Sequence, residues 1–511
     1  MLRTSSRANY IFPISNLPNE ILLLLLFLAL RDTTHGVDDQ LRLDCVSLAG
    51  VCRRWRSLVL TTSHFWTRLH IVIRVGALSR DYLETHVKRS ANTLVDVVIY
   101  VARPPNPWVQ NIWSPVFEEA RRCLKVLREC SYRWKSLRIV NEVDNHSGVF
   151  GCVLSELGIP YAPALNEVQI ICHSSGWITS VRESFQLLTS TYIPSLKKLT
   201  LEGCDSNILP RQFNPSSLTH LSLNFLRQYS HVTFPNSVIA FRDLLSSAQN
   251  LTSLEVHRRV LFVEHTTAND ELDPVSLPAL RSLSIIMGTE KPSYLSVVLR
   301  TIAAPNLYHF AIYGNSLTWE ESSLLDFSSP AFFLLEDQTP RFPSVHKLTM
   351  KNMLQSMHGP GKNIYSIFTA FPFVTDVVLD HDVREIADYL AVESYDRRAP
   401  LMWPCLKHLT IEMPPVTKFH YLQQLLEWLR LRRAGGFPLP VVVIRYELQQ
   451  TGMKQDARDL TAIRKIVNDA SGSRTSDTKE VAKQLRKLGT LVDLSVILWD
   501  AVCTTTNPNW C

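Results

Sequence analysis

A six-residue pattern of apolar positions, L-x-x-L-x-L with other apolar residues substituting freely, recurs thirteen times along this chain. It appears first as "WTRLHI" (66–71), "LVDVVI" (94–99) and "WKSLRI" (134–139), and last as "LKHLTI" (406–411) and "LPVVVI" (439–444). From residue 165 onward the copies are 31, 22, 33, 29, 27, 38, 29, 32 and 33 residues apart. A loose period near thirty restricts the chain to stacked supersecondary units, because one unit of that size cannot bury its own apolar face.

Two further features define the unit. Seven of the last ten copies carry a proline two residues ahead of the pattern: Pro163, Pro194, Pro278, Pro305, Pro343, Pro372 and Pro404. Proline has no N–H to give and cannot continue a helix, so it marks where a helix has ended and a strand begins. Apolar quartets at i, i+3, i+4, i+7 precede several copies. They include Ala120/Cys123/Leu124/Leu127, Phe150/Val153/Leu154/Leu157, Phe241/Leu244/Leu245/Ala248, Leu295/Val298/Leu299/Ile302, Ile364/Ile367/Phe368/Phe371 and Leu422/Leu425/Leu426/Leu429. The unit reads as helix, turn, strand.

The expected fold class is therefore α/β, with parallel strands lining one face of a curved solenoid and helices on the other. The expected limits are 71–446. In such strands period two sends the apolar residues inward and the third motif position outward. That column runs Lys198, His220, Ser253, Ser282, His309, Lys347, Asp376, His408. Lys198, His220, His309, Lys347 and His408 make it a candidate target-binding face for an acidic or phosphorylated segment.

Composition excludes several alternatives. With 46% hydrophobic and 20% charged residues the 511-residue chain buries a sizeable core and is not disordered. Its net charge of +6 is spread along the whole length, unlike the concentrated patch of a nucleic-acid binder. The ten cysteines form no C-x-x-C pair or zinc-ligand spacing, and read as reduced core thiols of a cytoplasmic or nuclear protein. Nucleophile-elbow, zinc-protease and dinucleotide-binding motifs are missing. "GKN" (361–363) fails as a phosphate loop, since Ser356 stands at the first glycine and Asn363 at the metal-binding Ser/Thr. The expectation is a non-catalytic protein with no cofactor and no metal.

The N-terminal region reads differently. "ILLLLLFLAL" (21–30) is too short to cross a bilayer, which needs ~20 apolar residues, and Glu20 abuts it. It is expected to be a buried helix. In "VCRRWRSL" (51–58), placing residues at about 100° per position puts Leu48, Val51, Cys52, Trp55, Leu58 and Val59 on one arc of about 120°. Arg53, Arg54 and Arg56 fall opposite, so the stretch reads as one amphipathic helix with its arginines in water. A nucleic-acid grip is disfavoured by the burial of Trp55.

Two motifs in order, "LPNEIL" (17–22) and "VCRRWRSL" (51–58), followed by Phe65-Trp66, resemble an F-box over residues 14–70. An F-box ahead of degenerate leucine-rich repeats is similar in layout to large fungal F-box families, and "LTLEGC" (199–204) places a cysteine where that repeat satisfies turn backbone. The resemblance implies a substrate-recognition subunit of a cullin–RING ubiquitin ligase, the F-box docking on a Skp-type linker protein and the repeats holding an unidentified target. It implies linker-binding roles for Leu17, Pro18, Glu20, Ile21, Leu22, Leu48, Val51, Cys52 and Trp55. The insertion "RDTTHGVDDQ" (31–40) lengthens the spacing between the two motifs. The rival reading is an interaction scaffold that assembles no ligase. Residues 1–13 are expected to be a tail, and 447–511 a helical cap with helices over 454–467 and 479–502 joined by a polar linker (468–477).

Overall fold

In the computed structural model the described residues are 14–32, 45–74, 80–102, 113–143, 149–158, 161–173, 188–189, 192–204, 208–209, 213–225, 238–257, 273–287, 292–314, 333–335, 339–351, 370–380, 403–413, 428–430, 432–448 and 494–500. Every copy of the repeated pattern becomes a strand. In chain order these are β1 (Arg68–Ile73), β2 (Val95–Val101), β3 (Trp134–Asn141), β4 (Glu167–Cys172), β5 (Lys198–Cys204), β6 (His220–Phe225) and β7 (Ser253–Val256). After a short β8 (Val275–Ser276) come β9 (Ser282–Ile286), a short β10 (Ile302–Ala303), β11 (His309–Tyr313), β12 (Lys347–Lys351), β13 (Asp376–Asp380), β14 (His408–Met413) and β15 (Val441–Leu448). A further strand, β16 (Leu494–Asp500), closes the series.

Apart from β8 and β10, which pair with each other, all these strands form one 14-stranded sheet whose spatial order is the chain order. Each strand is parallel to the next, and the third motif position always sits beside its counterpart. Lys198 lies between Glu167 and His220, His309 between Ser282 and Lys347, and Asp376 between Lys347 and His408.

The prolines have a sharper role than helix termination. Leu165 N–H donates to Ala162 O, Leu196 to Ile193, Leu280 to Leu277, Leu307 to Ala304, Val345 to Phe342, Val374 to Phe371 and Leu406 to Trp403, at 3.0–3.4 Å. Each proline therefore occupies the second residue of a β-turn, where its fixed φ is favourable and its missing N–H is not needed. Leu218 and Leu251 close the same turn onto Pro215 and Ala248 without a proline at that place.

The expected quartets form α5 (Trp113–Glu129), α6 (Val149–Leu157), α7 (Val238–Ser247) and α8 (Pro292–Thr301), which follow α4 (Arg80–Arg89). Their apolar stripes meet the inward residues of the strands in one continuous core, running from Leu69 to Val442. Most of the quartets at 364–371 and 422–429 lies outside the described residues, as do 1–13, 33–44, "GKN" and 454–477.

The N-terminal helices α1 (Asn19–Asp32), α2 (Cys45–Val51) and α3 (Arg53–Thr61) enclose a separate small core of Leu22, Leu26, Cys45, Leu48, Val59, Phe65 and Trp66. Three expectations are corrected here. The single helix through 48–59 is broken at Cys52, which is extended (φ −156°, ψ 169°) and caps α3 by accepting from Trp55 N–H at 3.4 Å. Gly50 and β-branched Val51 are weak helix formers at the break, and Val51 turns outward to 60% exposure. The leucine run is a helix but only half buried, because a single layer of helices covers one side of it. Finally, the helix expected over 479–502 is a strand at Leu494–Asp500, pairing with β15 in parallel so that Leu494 lies beside Val442. Its stretch "LVDLSV" (491–496) repeats the pattern of the other strands, and β-branched Val and Ile favour that conformation.

Candidate docking surface

Helix α1 starts where Leu22 N–H donates to Pro18 O at 3.0 Å, immediately after the chain enters through Leu17-Pro18. Leu22 and Leu26, one turn apart, are sealed in the small core. Ile21, Leu24, Leu25 and Leu28 fall on the opposite side within about 100° of arc and are 42–55% exposed. Val46 and Val51 of α2 are also exposed. Exposed large apolar side chains at helical spacing form a surface that water disfavours and a partner helix or groove would cover.

Arg54 holds this element in place. Its guanidinium donates to Asn19 Oδ1 from Nε (3.0 Å) and Nη2 (2.7 Å), and Nη2 also donates to Leu17 O. Arg56 Nε donates to Ala49 O at 3.0 Å. The expectation that these arginines only face water is thus corrected for Arg54 and Arg56. The kink at Cys52 swings α3 so that they reach backbone and side-chain acceptors of α1 and α2.

The residues singled out for linker binding divide into two sets. Pro18, Glu20, Ile21, Val51 and Cys52 are exposed, and Leu17 is partly so. Leu22 and Leu48 are buried in the small core, with Trp55 packed against it, so their contribution is to shape the surface rather than to form it. Leu24, Leu25 and Leu28 were not singled out, although their outward arc on a 100° wheel is legible from the sequence.

The small core is tied to the sheet through Trp66. Its indole N–H donates to Val59 O at 2.8 Å, Arg89 lies 4.4 Å over its ring, and His86 of α4 meets it edge-on at 4.8 Å. His86 also contacts Cys45 Sγ at 3.2 Å.

On the face of the sheet turned away from the continuous core the five candidate target-binding residues differ in their partners. His408 Nδ1 lies 2.8 Å from Asp376 Oδ1, and Thr375 donates to the other oxygen of that carboxylate at 2.6 Å. His309 is half buried between Ser282 Oγ (3.3 Å) and Thr349 Oγ1 (3.2 Å); burial, with Lys347 beside it, pushes its pKa below the ordinary value. His220 Nδ1 sits 2.8 Å from Thr219 Oγ1.

Further along the same face Lys351 bridges to Glu412 at 2.5 Å, and Glu255 meets His257 at 2.7 Å. The hydrogen bond from His257 holds the Glu255 carboxyl below the usual carboxylate range, against the opposing effect of burial. Cys204 Sγ donates to Glu202 O (3.3 Å) and Ile170 O (3.6 Å), and lies 3.8 Å from Cys172 Sγ. Among the described residues no group of three His, Cys, Asp or Glu is placed to hold a metal ion, and no helix is long and apolar enough to cross a membrane.

Residues 14–72 match the family described as F-box-like. The match covers α1 to α3 and ends within β1. No curated protein matches the chain.

Proposed function

We propose that this chain is the target-recruiting subunit of a cullin–RING (SCF-type) ubiquitin ligase. Residues 14–70 form an F-box that docks on a Skp-type linker, and residues 71–446 form a solenoid of the degenerate leucine-rich-repeat kind that holds a target protein. The layout resembles that of fungal F-box families. Strand β16 (Leu494–Asp500) extends the sheet one strand beyond β15.

One observation carries the reading. The F-box-like segment exposes an apolar stripe on α1, Ile21/Leu24/Leu25/Leu28, beside the Leu17-Pro18 motif to which the F-box resemblance assigns linker docking. Pro18, Glu20, Val51 and Cys52 lie on the same small domain and are exposed with it. The chain itself performs no chemistry in this reading. It raises the effective concentration of target lysines near the ligase. The cysteines, scattered through apolar runs of the sequence, favour a reducing compartment, cytoplasm or nucleus.

The test is co-expression of the full chain with a Skp-type linker protein, followed by size-exclusion chromatography. A stoichiometric complex supports the ligase subunit. A folded chain that stays apart from the linker, with or without other partners on its sheet, replaces this reading with that of a scaffold.

A further inference from the structure

From β5 to β14 the face of the sheet turned away from the continuous core is charged unevenly along the strand direction. At the second and third motif positions, where the strands begin, stand Lys197, Lys198, Arg281, Lys347 and Lys407. The only carboxylate in those positions over the same strands is Asp376, already held by Thr375 and His408. Toward the strand ends the sign reverses. Glu202, Glu255 and the buried Glu412 stand there on the side away from the continuous core, and Lys351, the only lysine or arginine among them, is paired with Glu412.

The cationic rim also carries aromatic surface. Tyr308 is 50% exposed and stacks on His346, with centroids 5.5 Å apart and planes 12° from parallel. Phe373, in the turn before β13, is 53% exposed. Arg281 on one side and Lys407 on the other flank this group in strand order. An exposed aromatic pair between cations has the composition of a protein-binding hot spot.

Scale fixes the occupant further. Seven strand-to-strand steps of ~4.8 Å separate Lys197 from Lys407, about 34 Å, which an extended chain rising ~3.3 Å per residue covers in about ten residues. Three steps part Lys197 from Arg281 and four part Arg281 from Lys407, so the cations are about 14 and 19 Å apart. A nucleic-acid strand, charged at every nucleotide, would leave most phosphates unmatched and set some against Asp376. A peptide places charge only where it is wanted.

We infer that the rim formed by the starts of β5 to β14 binds an extended, Asp/Glu-rich segment of the target protein about ten residues long, laid across the strands with an apolar centre against Tyr308 and His346. The inference rests on the reading of the sheet as the target-holding part of the chain.

A displayed library of random ten-residue peptides, selected on the full chain and on the triple variant Lys197→Ser/Arg281→Ser/Lys407→Ser, tests it. The peptides bound by the wild type should be enriched at least fivefold in Asp and Glu, and their affinity should fall steeply with salt. Both properties should disappear in the variant, whose thermal midpoint and linker binding stay unchanged. An unbiased selection, no selection, or an acidic bias that survives in the variant overturns the inference, as does a rim that prefers single-stranded RNA or phosphopeptides to the acidic peptides. Linker binding measured alongside separates these failures from failure of the ligase reading, which appears as loss of the linker complex in the wild type.

Discussion

Arg54 reaches back over 35 positions to close on Asn19, its Nε and Nη2 both donating to the Asn19 side-chain oxygen at 3.0 and 2.7 Å. The start of the leucine-rich helix is thereby fixed by a residue whose neighbours, Arg53 and Arg56, lie exposed on the same helix. Arg54→Ala should lower stability by about 1–2 kcal/mol through loss of these charge-assisted bonds, whereas Arg53→Ala should change it by less than about 0.5 kcal/mol. Urea denaturation followed by tryptophan fluorescence measures both. Equal effects at the two positions would show that the clamp does not hold α1.

The two glycines Gly203 and Gly50 should respond oppositely to alanine. Gly203 has φ +64°, and a Cβ there would stand 2.0 Å from Cys172 O of the neighbouring strand, at the bulge in β5. Gly203→Ala should cost more than about 2 kcal/mol, combining left-handed strain with separation of β4 from β5. Gly50 lies in α2 with open space around it, so Gly50→Ala should be neutral or stabilising by up to ~1 kcal/mol. Thermal midpoints of the two variants, which move in opposite directions on this account, provide the check.

His309 should be neutral at pH 7. Its pKa lies below the ordinary 6.5 because burial, and secondarily Lys347, disfavours the imidazolium. The unfolded chain therefore binds this proton more readily than the folded one, so the His309 contribution to stability is full above pH 6.5 and is lost as pH falls toward the folded pKa. An NMR titration of the ring should place the midpoint below 6.5, and Lys347→Met should raise it. A midpoint at or above 6.5 in the wild type would return His309 to the set of charged residues on the face.

The strands were the most legible part of the sequence. Their apolar positions recur with period two and sit behind a β-turn whose second residue is so often proline, which is why the third-position column from Lys198 to His408 lies in register as expected. Helices α5 to α8 were legible from their apolar quartets at i, i+3, i+4, i+7. The break at Cys52 was not, because a helical wheel drawn through residues 48–59 looks continuous while the cap that interrupts it depends on one sulfur and one backbone N–H. Strand β16 was hidden by the length of the apolar stretch around it, although "LVDLSV" carries the pattern. Side-chain partners such as Asp376 for His408 follow from which strands become neighbours.

In the proposed function ligase assembly depends on the outward side of α1, and Leu25 separates docking from folding most directly. It is 42% exposed, whereas Leu26 beside it is 3% exposed in the small core. Leu25→Asp leaves the core untouched but sets a carboxylate without a partner into any interface formed there, at several kcal/mol. The decisive measurement is the affinity of purified full-length Leu25→Asp for a Skp-type linker protein by isothermal titration calorimetry, beside wild type and with thermal midpoints of both. The account predicts unchanged midpoints and an affinity reduced at least a hundredfold. Wild-type affinity in the folded variant would contradict it.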